Sequence, residues 1–125
     1  MPTISSSINR IYAVLAWVLA ATGVFHLVTT WLLTNQTAFT RVWFFGAGIA
    51  MIQGAVFNLL NRVYGQNATG LRWVTRASNG LLLVFAAVAG KVIEASVPEQ
   101  IFLLGIIGAL LVFSFTNVGF RPNQE

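Results

Sequence analysis

No cysteine and no aspartate occur in the 125 residues, and there is a single histidine, His26, and a single lysine, Lys91. Without thiols the chain cannot exchange disulfides, hold a thiolate-ligated metal or carry a disulfide framework. A four-helix membrane thiol oxidoreductase is therefore excluded. Charged residues make up only 8%, against about 25% in an ordinary soluble domain. So few charges do not cover a water-facing surface. The acids are Glu94, Glu99 and Glu125 alone.

Apolar residues, 57% of the chain, are gathered into four stretches: Ile11–Leu33, Val42–Leu60, Ala77–Ile93 and Ile101–Val118. A hydrocarbon core about 30 Å thick needs about 20 apolar residues of helix. One buried core helix in a soluble protein explains one such run, but not four in succession. The first run exceeds the 7–15 residues of a signal-peptide core, so it is expected to be a retained helix. Met1–Asn9, with Ser5, Ser6 and Ser7, reads as a short polar tail. The third run depends on Trp73–Arg76 and Lys91 at its ends, where long basic stems can snorkel to the interface. Arg76 either does so or points inward, to Asn79 or to a ligand headgroup.

The connections are short, which forces antiparallel neighbours. The expected fold is an all-α membrane protein, one domain over residues 1–125. Its four transmembrane helices, at about 10–33, 41–62, 71–94 and 99–119, form an up-down-up-down bundle. Arg10, Arg62, Arg72, Arg76 and Arg121 fall on one side of it, and Arg41 and Lys91 on the other. The positive-inside rule places the arginine-rich side, with both termini, in the cytoplasm. The formal charge of +4 is then explained by orientation and headgroup contact rather than by nucleic acid, which is not an expected partner. Trp31 and Trp43 near one interface, and Tyr12, Tyr64 and Trp73 near the other, fit the same frame.

Small residues carry the packing signal, since helices in lipid associate through close backbone approach and interhelical hydrogen bonds. Gly46, Ala50 and Gly54 recur every four residues in the second helix, and Asn58 extends the line. Ala13, Ala16, Ala20 and Gly23 offer a 3-4-3 seam in the first. Gly105 and Ala109 serve in the fourth. Gly46, Ala50, Asn58 and Arg62 are matched at equal spacing by Gly105, Ala109, Asn117 and Arg121, a weak internal repeat that common membrane-helix residues also produce by chance.

Polar residues within the spans are few. His26 is the sole titratable group deep in the first helix, with Thr22 and Thr30 one turn to either side. It reads as interhelical glue or, more sharply, as a proton relay or a ligand-binding imidazole. Asn58 and Asn79 stand at matching depths of an antiparallel pair and are expected to bond across it. A ligand cavity lined by His26, Gln53 and Asn79 is the functional alternative. No catalytic set and no metal site is expected. No cofactor is expected either; haem on His26 is the alternative, although one histidine cannot fill both axial positions.

Small multidrug exporters need a carboxylate in the first helix, which is missing here, and the run Gly80–Phe85 does not match the glycine- and threonine-rich break of small fluoride channels. Trp43–Gly48 resembles small bacterial membrane proteins of unknown function, which implies no activity. The expected function is a non-enzymatic accessory or scaffold subunit of the bacterial inner membrane, paired with a second copy or a larger membrane protein. The alternatives are a transporter or binding protein for an apolar, cationic or lipid ligand, and a redox or lipid-modifying enzyme using His26.

Overall fold

A computed structural model describes residues 4–116. Four α-helices follow one another: α1 (Ile4–Leu32), α2 (Ala38–Tyr64), α3 (Thr69–Val92) and α4 (Val97–Phe113). Among the described residues there is no strand. α1, α2 and α3 are long and apolar enough to cross a membrane, and α4 is a shorter apolar helix. α1 packs on α2 and α4, and α3 packs on α2 and α4, so the antiparallel helices close into a four-membered ring. One end of the bundle carries the start of α1 and the end of α4, and is called the terminal end below; the other carries the α1–α2 and α3–α4 turns.

Each helix buries one stripe. In α1 it is Asn9, Tyr12, Ala16, Leu19, Gly23 and Thr30, a three-four spacing that keeps one seam facing its neighbours. In α2, Gly48, Met51, Ala55 and Asn58 repeat the pattern, and in α3 the buried residues are Thr75, Asn79, Leu82, Ala86 and Gly90. Ile106, Ile107 and Leu110 close the core from α4. The opposite faces are greasy: Trp17, Phe25, Leu81, Val92 and Val112 are all well over half exposed. A surface of that kind needs lipid, and with backbone groups satisfied inside helices it identifies an integral membrane protein.

Six helix ends fall within about three residues of the sequence expectation, and two lie about six residues from it. α1 begins at Ile4, not near Arg10, because Asn9 continues the buried seam one turn ahead of Tyr12 and its Oδ1 accepts from Arg62 Nη1 at 3.5 Å. α4 stops at Phe113, not near residue 119. There the Ser114 hydroxyl donates to Leu111 O at 2.6 Å and its N–H to Leu110 O. Asn117 and Arg121, the second half of the suggested repeat, lie outside the described residues.

The turns at the other end are built by local chemistry. Thr37 caps α2 by accepting from Thr40 N at 3.2 Å. α3 ends with Ala95 N–H on Gly90 O and Glu94 N–H on Lys91 O, the two bonds of a Schellman stop. Glu94 holds the left-handed position at φ 51°, where a side chain is disfavoured by roughly 1 kcal/mol. At the start of α4 the Glu99 carboxylate accepts from both the N–H and the hydroxyl of Ser96, at 3.0 and 2.8 Å. Glu99 is solvent-facing and precedes the apolar run that begins at Ile101. The Ser96 hydroxyl, and then its N–H, hold that carboxyl below the usual glutamate range.

Candidate functional site

The largest concentration of buried polar atoms lies in the terminal half. Asn58, Asn79 and Thr75 are fully enclosed, and Tyr12, Asn61 and Ser114 nearly so. Asn58 and Asn79 form a reciprocal amide pair between α2 and α3: Asn58 Nδ2 donates to Asn79 Oδ1 at 2.7 Å, and Asn79 Nδ2 to Asn58 Oδ1 at 3.0 Å. Asn58 Nδ2 also donates to Gly54 O, and Asn58 Oδ1 also accepts from Tyr12 OH at 2.9 Å. Both donors and both lone-pair positions of this amide are thus used. Tyr12 OH in turn accepts from Asn61 Nδ2 at 3.1 Å, and its ring stacks on Phe113 of α4. The Thr75 hydroxyl turns to the carbonyls of Leu71 and Phe57. Among the described residues two enclosed side-chain atoms have no hydrogen-bond partner, Asn61 Oδ1 and Arg62 Nε.

Arg76 sits beside this layer. Its Nε donates to the Ser114 carbonyl at 3.2 Å, supplying the end of α4 with a cation as well as a donor. Its guanidinium carbon lies 4.3 Å from the Phe115 ring centre and 5.4 Å from that of Trp73, within cation–π range. Arg76 therefore does not reach Asn79, whose amide is bonded to Asn58; it joins α3 to the end of α4.

In the other half the contacts are of a different kind. At Gly23 and Gly48 the α1 and α2 backbones touch: a Cβ on Gly23 would lie 2.7 Å from Gly48 O, and one on Gly48 2.8 Å from Gly23 O. Along α1, Thr22 Oγ1 donates to Val18 O, His26 Nδ1 to Thr22 O and Thr30 Oγ1 to His26 O, each at 2.9 Å. Arg41 Nε of α2 adds the next rung on Thr30 O at 3.1 Å. The His26 ring lies flat on Phe44 at 4.9 Å, with Phe25 edge-on. Facing a carbonyl, Nδ1 is the donor in its bond to Thr22 O, and Nε2 has no hydrogen-bond partner among the described residues.

The structure does not bring His26, Gln53 and Asn79 together. Asn79 bonds to Asn58 at the level of Tyr12. His26 lies fourteen residues further along α1, about 20 Å of helix axis. Gln53 is on the exposed face of α2. The expected cavity is therefore not formed by these three. The small-residue line divides. Asn58 and Gly54 are buried, with Gly54 against Leu82 and Leu19. Ala50 is half-buried, and Gly46 is exposed with open space beyond it. A line of every fourth residue drifts about 40° per step around a helix of 3.6 residues per turn, so it starts outside and ends inside. Gly105 is likewise exposed, and Ala109 only half-buried.

Gly46 and Ala50 instead line an apolar groove of about 240 Å³ on the outer surface, with Phe39, Val42, Ala47 and Phe85. The stacked rings of Trp43 and Phe85, 5.5 Å apart, bridge α2 to α3 there. Among the described residues no cluster of His, Asp or Glu fit to hold a metal occurs. Gly48, Asn61 and the buried role of Tyr12 are not among the residues expected from the sequence. The spacing Gly48–Met51–Ala55–Asn58 was the usable signal; nothing in the sequence marked Tyr12 as other than an interfacial ring. Comparison with protein-family models, with curated proteins and with solved structures finds no match for the chain.

Proposed function

We propose that this protein is a non-enzymatic accessory or scaffold subunit of the bacterial inner membrane, with both termini cytoplasmic, acting through its helix faces on a second copy or a larger membrane protein. One observation carries the reading. The buried amides of Asn58 and Asn79 are committed to each other, while Gly46, bare of any neighbour, opens on an apolar groove beside Trp43 and Phe85. Polar chemistry is spent on holding the bundle, and close-approach surface is left facing outward, where another helix can use it.

The cysteine-free chain makes the test clean. A Gly46→Cys variant, oxidised in native membranes, is expected to give one discrete crosslinked species, with a matching oligomer or complex in native mass spectrometry from mild detergent. A lone monomer in both measurements sinks the reading. A binding or transport role for an apolar, cationic or lipid ligand is the second reading. It rests on the open Nε2 of His26 and predicts that His26→Leu abolishes ligand retention.

A further inference from the structure

The charge on the two ends of the bundle is unequal in a way that packing does not use. Arg41 and Lys91 at the turn end are accompanied by Glu94 and Glu99, whereas Arg10, Arg62, Arg72 and Arg76 share the terminal end with no acid among the described residues. Arg72 and Arg76 are one turn apart on the same face of α3, a spacing at which like charges repel. Among the described residues Arg72 has only the Thr69 hydroxyl as a partner, from Nη2 at 3.0 Å. Arg76 is pinned through Nε to Ser114 O and laid against Phe115. Its two terminal nitrogens have no partner among the described residues, and neither is enclosed. Trp73 and Phe115 beside it are both more than half exposed, as aromatic side chains at headgroup depth are.

We infer that Arg76, with Arg72, is a seat for the phosphate of an anionic lipid at the α3–α4 edge of the terminal end. The fork is oriented before the ligand arrives, because Nε and the ring faces fix its plane and leave the outer N–H groups to meet phosphate oxygens in parallel. A negative headgroup placed there supplies the anion that this end lacks among the described residues. A zwitterionic headgroup brings its own cation toward two arginines as well. The α3–α4 edge is also where lipid chains meet the exposed Trp73 and Phe115. The seat is independent of the scaffold reading and stands whether or not a protein partner exists.

The test uses the full chain in mild detergent, with native mass spectrometry against phosphatidylglycerol and phosphatidylcholine of identical acyl chains. The wild type is expected to prefer phosphatidylglycerol by about tenfold, the size of one charge-assisted contact. Arg76→Gln removes the preference, and Arg76→Lys, which keeps the charge and the fold but not the fork, lowers it. Arg10→Gln, which removes an exposed charge from the same end, leaves it. Equal loss from Arg10→Gln and Arg76→Gln reduces the effect to diffuse charge and overturns the seat. So does equal binding of the two lipids, and so does displacement of phosphatidylglycerol by millimolar inorganic phosphate.

Discussion

The two halves of this bundle hold their helices together by different physics. In the terminal half, α1, α2 and α3 are tied by side-chain hydrogen bonds through Tyr12, Asn58, Asn61 and Asn79. In the other half, α1 and α2 meet backbone to backbone at Gly23 and Gly48, and α2 and α3 meet through stacked Trp43 and Phe85. Both solve the same problem. Lipid gives helices no hydrophobic reason to associate, so contact has to come from directional bonds or from close packing. The first solution fixes register, since an amide pair bonds at one depth only; the second fixes distance.

Three experiments set the halves against each other. The largest effect is expected at Gly48. Gly48→Leu has to force α1 from α2 and is expected to cost about 3 kcal/mol in detergent unfolding. Gly46→Leu, on open surface, is expected to change monomer stability by less than about 0.5 kcal/mol. Equal effects would abolish the distinction between the inner and outer faces of α2. Next is Asn58→Leu, which strands the Asn79 amide and the Tyr12 hydroxyl and is expected to cost about 1–3 kcal/mol. Asn58→Leu with Asn79→Leu should cost less than the two single changes together; simple additivity would show that the pair is not one unit. The smallest effect belongs to Glu99. Its folded carboxyl is held below the ordinary range by Ser96. Its contribution is therefore fully present above the usual glutamate pKa and fades as the pH falls through and below that range. Melting temperature followed from neutral to acid pH should show a small decline that Glu99→Gln removes. A decline that survives in Glu99→Gln would locate the acid sensitivity elsewhere.

Much of the architecture was legible in the chain. Run length and the rarity of charge give the four helices and their alternation, and matched depth gives the Asn58–Asn79 pair. The ends were not legible, because they turn on single side chains. Asn9 extends α1 by joining Arg62, and Ser114 closes α4 with its own hydroxyl. Gly46 does not pack inside the bundle, because a line of every fourth residue drifts about 40° per step and ends inside at Asn58 only by starting outside. Polarity alone suggests a group of Gln53, His26 and Asn79, but helix phase puts Gln53 outside and height separates His26 from Asn79. Tyr12 carried no mark in sequence, since its burial depends on Asn58 and Asn61, nearly fifty positions away.

The ladder of Thr22, His26 and Thr30 along α1 bears on how the bundle is assembled. Each of these groups bonds to a carbonyl of its own helix, so the two threonine hydroxyls and His26 Nδ1 need no second helix to answer them. Among the described residues the Asn79 amide has no such local partner and is answered by Asn58 alone. The second and third helices are therefore best delivered to lipid as a hairpin. A chain interrupted by a stop after α2 would leave Asn58 half-answered, with Tyr12 and Gly54 but without Asn79.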